Sequence, residues 1–217
     1  EVMKENLGAL EEDYYNQEVQ SKLHGAFGFE VDLSSLDEIS DSELKALLEK
    51  TRDTGYRVET AEGMYFPVID YGFLRKYKPY VTDDMKGYID IMAVESWRWP
   101  AKDGALVIGW DELIERALQQ EKFIEQYPDS PKTVEIKQLY NKYVSFILYG
   151  LNNTPLFDYN SRAMSEEAKK AYSEAVKGEE DSETLKLVRL FLEVLEKNNY
   201  RLTDTVEEYR KNALDRD

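Results

Sequence analysis

One fifteen-residue stretch, Tyr56 to Asp70, alternates its side chains with the period of a strand, while the apolar residues elsewhere recur mostly at three- and four-residue steps. The two periods demand different backbones, because strand side chains alternate faces whereas helical ones return to a face about every 3.6 residues. The chain is therefore predicted to be mainly α, a multi-helix globular bundle with one short antiparallel β-hairpin at about residues 56–69. Tyr56, Val58 and Thr60 alternate with Arg57 and Glu59, and Met64, Phe66 and Val68 follow a turn at Glu62-Gly63. A lone hairpin is marginal in water, so one face must pack on the helices, and Pro67 marks an edge.

Leu7, Leu10, Tyr14, Tyr15 and Val19 predict one amphipathic helix over residues 5–23. Ser40 and Glu43 have capping-box spacing before a second, with Leu44, Leu47 and Leu48 inward. Thr82 is a predicted cap for a helix with Met85, Tyr88, Ile89, Met92 and Val94, and residues 97–103 break the pattern. A long helix from Trp110 stops at Pro128, and Ser130-Pro131 begins the next, which runs to Gly150. Residues 151–164 are the longest stretch without a period. Ser165 and Ser182 are read as caps, and the wide apolar band from Leu185 to Leu195 predicts the most buried helix; the last helix starts at Thr203 or Asp204. The stop at Pro128 before Ser130 is echoed at Gly178 and Ser182, two copies being too few to argue a solenoid. The expected organisation is a single α-rich domain, residues 1–217, with an acidic N-terminal subdomain, 1–54, on a helical core, 70–217.

The chain carries 44 acidic and 28 basic residues, a net charge of −16, and 13 acidic against 4 basic side chains lie in residues 1–50. Such a charge repels phosphate, so nucleic acid and anionic membranes are not expected partners. There is no cysteine, which removes disulfides, thiolate nucleophiles and cysteine-held metals. No run approaches the roughly 20 apolar residues that span a bilayer.

His24 is the only histidine, which excludes a three-histidine metal site; its ordinary role is to donate to carbonyls at a helix end. The acids of residues 178–183 lack the spacing of a calcium loop. No metal ligands, catalytic residues or cofactor are predicted. The most suggestive cluster is Glu95-Ser96-Trp97-Arg98-Trp99-Pro100, where Trp97, Arg98 and Trp99 offer stacking surfaces beside the Glu95 carboxylate. A glycan, peptide or protein is the kind of partner that fits. Asp111, Glu112 and Glu115 open the following helix, and Asp111 or Glu115 would supply the second carboxylate of a glycoside hydrolase. The plainer reading of the same residues is tryptophans plugging a helix junction and acids answering a helix dipole.

The segments Gly55-Tyr-Arg-Val-Glu-Thr-Ala-Glu-Gly-Met-Tyr-Phe-Pro-Val-Ile-Asp-Tyr and Tyr80-Val-Thr-Asp-Asp-Met-Lys-Gly-Tyr-Ile-Asp-Ile-Met-Ala-Val-Glu-Ser96 resemble uncharacterised secreted or lipoprotein-type helical proteins of Gram-positive bacteria. The resemblance covers mainly residues 55–96 and brings no catalytic motif. It implies an extracellular or cell-surface protein at the cell envelope, with a leader or lipid anchor on a segment before Glu1. The expected function is an exported binding or interaction protein without catalytic activity; the alternative is a carboxylate-dependent hydrolase acting on cell-wall or polysaccharide substrate.

Overall fold

The computed structural model describes residues 2–27, 31–33, 36–178 and 182–214, and its chain divides into two compact units, Glu1–Tyr80 and Val81–Asp217. Ten α-helices and three two-stranded antiparallel sheets among the described residues make the fold mainly α. Residues 179–181 of the acidic stretch, and Gly28 and Glu30 beside His24, lie outside the described residues.

The first unit contains α1 (Val2–Tyr14), α2 (Gln17–Ala26), α3 (Ser42–Asp53), β1 (Tyr56–Ala61), β2 (Met64–Ile69) and α4 (Tyr71–Leu74). The single helix expected over residues 5–23 is interrupted at Asn16, whose side chain accepts the Glu18 N–H at 2.8 Å and starts α2 anew. Asparagine stabilises such a start by satisfying an orphan donor. Likewise Asp41, one residue later than the expected Ser40, caps α3 by accepting from the amides of Glu43 and Leu44.

The hairpin forms with the expected turn, but its inward face on β2 is Tyr65 and Pro67, while Met64 is exposed. The register gives the reason. Val58 faces Pro67 and Thr60 faces Tyr65, and directly opposed residues of an antiparallel pair share a face with the buried Tyr56 and Val58. That face joins Leu10, Tyr14, Leu23, Leu36, Leu44 and Leu48 in the unit's core. The buried Gln20 side chain stitches the sheet to it: its amide donates to the Tyr14 and Tyr65 carbonyls, each at 2.7 Å, and its oxygen accepts the Tyr65 N–H at 3.0 Å. His24 Nε2 lies 2.8 Å from the Gly63 carbonyl, a contact that only a donating N–H makes favourable.

The second unit runs through three successive pairs of helices in chain order. The first is α5 (Asp83–Trp97) and α6 (Trp110–Gln126), joined by β3 (Ala101–Lys102) and β4 (Ala105–Leu106). The second is α7 (Thr133–Tyr149) and α8 (Glu166–Ala175), with β5 (Gly150–Leu151) and β6 (Thr154–Pro155) in the connection. The third is α9 (Glu183–Lys197) and α10 (Asp204–Leu214), joined by a tight turn in which Asn199 and Tyr200 are left-handed at φ 53°. The pairs start at Asp83, Thr133 and Glu183, fifty residues apart, so the echo at residues 128–130 and 178–182 marks two of three successive pair boundaries. The two small hairpins have two-residue strands, too short for alternation to show in the sequence.

The core of this unit centres on α6, which packs on α5, α7, α8 and α9. Eight residues of α6 are buried against five of α9, so α6, not α9, is the most buried helix; the apolar band of α9 is wider than its contacts, leaving Leu190 exposed. From α6 the buried Glu121 also caps α9. Its carboxylate accepts the N–H groups of Glu183 and Thr184, the latter at 3.1 Å, and the Ser182 hydroxyl at 2.8 Å. An anion at a helix N-terminus satisfies orphan donors and answers the dipole together.

Candidate functional site

The sequence-predicted cluster lies at the end of α5. Glu95 is 9% exposed and turned inward, where its Oε1 accepts the Tyr143 hydroxyl at 2.6 Å and sits 3.3 Å from Arg116 Nη1. Arg116, 4% exposed in its side chain, also donates from Nη1 to the Arg98 carbonyl at 2.9 Å and from Nε to Glu112 at 3.1 Å. Arg98 in turn donates to Glu112 at 2.8 Å and to the Val107 carbonyl at 3.1 Å. The structure thus joins Glu95 and Arg98 through Arg116, Glu112 and Tyr143 in a network tying α5, α6 and α7. Burial raises the Glu95 carboxyl above its ordinary pKa, only partly offset by Tyr143 and Arg116, and burial raises the Tyr143 hydroxyl as well.

Trp97 stands outside that network, 83% exposed, and Trp99 is half-buried. Asp111 and Glu115 are exposed, so both carboxylates considered as partners of Glu95 point to solvent while Glu95 does not. Neither makes the paired arrangement across a cleft that glycoside hydrolysis uses. Among the described residues no group of three metal-ligating side chains is assembled, and no helix is long and apolar enough to cross a membrane.

A concave site forms elsewhere on this unit, where the three connections converge. A cleft of about 480 Å³ is lined by the tip of the β3–β4 hairpin at Gly104, by residues of the 149–162 segment, and by Leu202 and Arg210. Its walls are aromatic: Tyr149 half-buried, Phe157 buried and Tyr159 70% exposed. Arg210, 5% exposed, lays its guanidinium 4.3 Å from the Tyr149 ring centre and 5.2 Å from that of Phe157, and pairs with Glu207. Its Nε is buried without a partner among the described residues.

Hydrogen bonds between the connections hold the cleft's rim. Asn153 donates from its backbone to Gly104 at 2.8 Å and from its side chain to the Asp103 carbonyl at 2.6 Å, and the Leu106 N–H reaches Thr154 Oγ1 at 3.1 Å. Met164 N–H donates to Tyr200 and Leu202 N–H to Arg162, each at 2.8 Å, while Tyr159 donates to the Asn152 carbonyl at 2.9 Å. Gly150, at φ 70° and ψ −151°, occupies a conformation open essentially to glycine alone. An added Cβ there would stand 2.4 Å from the Thr154 oxygen. Arg162 is left-handed at φ 57°, an uncommon conformation for arginine that places it on the cleft.

None of these cleft residues was singled out from the sequence as a binding group. The available signal was the length of the aperiodic 151–164 segment, since unstructured connections of that size in compact domains are uncommon and often carry function. Comparisons with protein-family models, curated proteins and solved structures found no match to this chain.

Proposed function

We propose that this chain is a binding protein without catalytic activity of its own, and that the cleft at the connector end of residues 81–217 is where it binds. The observation that carries the reading is the convergence of three sequence-distant connections on one aromatic-walled, arginine-bearing cleft, locked by hydrogen bonds between the connections. Concave sites with apolar walls and a few fixed polar groups are where small ligands bind, and rigid lining lowers the entropy cost of binding. The exported, cell-envelope setting implied by the resemblance of residues 55–96 belongs to the same proposal, with sugars and short peptides as the first classes of partner to test. The rival, a hydrolase using Glu95 with Asp111 or Glu115, has less support. The Glu95 carboxylate is buried and engaged by Tyr143 and Arg116, whereas the other two are exposed.

The test is an amide ¹H–¹⁵N screen of the whole chain against sugars, wall glycan fragments, short peptides and amino acids. Shifts should concentrate on residues 149–162, Leu202 and Arg210, and Tyr159→Ala, at an exposed position with little to lose in stability, should abolish them. Shifts clustered instead around Trp97 would move the site to the end of α5. No shifts anywhere would overturn the proposal.

A further inference from the structure

The cleft's charges narrow its ligand further. Asp158 lines it, and its Oδ1 accepts three hydrogen bonds from its own turn: Asn160 N–H at 3.1 Å, Ser161 N–H at 2.7 Å and the Ser161 hydroxyl at 2.8 Å. The Ser161 N–H holds the carboxyl below the usual carboxylate range, with the Ser161 hydroxyl adding to it, so Asp158 is an anion at neutral pH. Its Oδ2 has no partner among the described residues.

Four positions on, Arg162 lines the same cleft and is a permanent cation. Its Nε donates to the Leu202 carbonyl at 2.7 Å, its N–H to the Asp158 carbonyl at 2.8 Å, and its own carbonyl accepts from Leu202. Both Nη groups have no partner among the described residues. The two opposite charges do not pair with each other: the Asp158 carboxylate is held by its turn, and the Arg162 side chain by Leu202. Both Nη groups of Arg210 are committed, to the Leu148 carbonyl and Glu207, and its one unpartnered donor is the buried Nε, which leaves Arg162 the exposed lining cation with both Nη groups to spare. A planar guanidinium edge suits a carboxylate, a carboxylate oxygen suits an ammonium, and Tyr149, Phe157 and Tyr159 suit an apolar or ring-bearing body.

Resting on the reading of this cleft as the binding site, we infer that its ligand is a zwitterionic α-amino acid with an aromatic or large aliphatic side chain. Arg162 takes the α-carboxylate, Asp158 the α-ammonium, and the ring walls the side chain. The volume of about 480 Å³ lies within the range of small-ligand sites and leaves room for such a molecule.

Three probes test the charges one at a time: phenylalanine, N-acetylphenylalanine, which lacks the ammonium, and phenylalaninamide, which lacks the carboxylate. Titrated into the whole chain and followed by amide shifts, phenylalanine should perturb residues 149–162, with both blocked forms at least tenfold weaker. Asp158→Asn keeps an Oδ1 acceptor for the turn and removes the charge; it should weaken phenylalanine to the level of the acetylated probe without changing the spectrum elsewhere. Equal binding of either blocked form overturns the inference and leaves the cleft standing as a site for a singly charged ligand. If other compounds of the screen bind the cleft but none of these three does, the inference falls alone; if no compound binds there, both fall.

Discussion

Arg116→Met tests whether the polar cluster at the end of α5 is held together by its buried cation. Methionine replaces most of the aliphatic stem, so the packing loss is small, but Glu95 loses its positive partner at 9% exposure and the Arg98 carbonyl loses a donor. Removing one member of a buried pair costs about 3–5 kcal/mol, and for a chain of this size that lowers the melting temperature by on the order of 10 °C. Glu112 adds little to the loss, because it is half-exposed and keeps Arg98. Adding Glu95→Gln should return about 2 kcal/mol, since no unpaired charge then remains and the Tyr143 hydroxyl keeps an acceptor. Urea unfolding followed by tryptophan fluorescence reads this unit alone, because all three tryptophans, Trp97, Trp99 and Trp110, lie in residues 81–217. The penalty should shrink as pH falls, because an isolated Glu95 takes up a proton instead of remaining a buried anion. A single variant within about 1 kcal/mol of the parent, or a double variant that loses the sum of both singles, would refute the network as a coupled unit.

Glu121→Ala leaves the N–H groups at the start of α9 without their anion and should cost about 2–4 kcal/mol in the same urea assay, with Glu121→Gln losing roughly half as much because it keeps an acceptor. Gly150→Ala forces a Cβ against the Thr154 oxygen and the Leu156 nitrogen, so a loss of about 3 kcal/mol or more is expected, and a melting curve unchanged from the parent would contradict the backbone geometry. The folded-state pKa of Glu95 is raised, so its contribution to stability is fully present below the unfolded value and is lost as pH rises through the folded one. Urea stabilities of the parent and Glu95→Gln, followed from below the ordinary carboxylate range upward, should therefore show the parent's relative stability falling with pH; a relative stability that rises would mean that the fold prefers the carboxylate ionised.

Periodicity made most helices and the Tyr56–Asp70 hairpin legible, because a helix or a two-residue turn is decided by side chains within about four positions of one another. Gly150 as a helix end and the Ser165 and Ser182 caps were readable for the same reason, each being a local rule about one donor or one φ angle. The interruption at Asn16 was also local, but Tyr15 carried a four-residue apolar step across it to Val19 and hid it, although Tyr15 is exposed and the inward residue is Tyr14. The inward face of β2 was not local, since cross-strand register, with Pro67 opposite Val58, decided it. Glu95 and Arg98 were visible as residues, yet what they do depends on Arg116 and on Tyr143, the latter 48 positions from Glu95. The cleft lies further still from sequence rules. Gly104, Phe157 and Arg210 become neighbours only when α5, α7, α8 and α9 pack on α6 and α10 packs on α7 and α9, because that packing brings the connections together at one end of the unit. The sequence by itself determined most of the helical segments, the Tyr56–Asp70 hairpin and which chemistries the missing cysteines exclude. The tertiary structure alone decided which charges are buried and paired, and which are left facing a cleft, because burial and distance are properties of packing between elements and not of spacing along the chain.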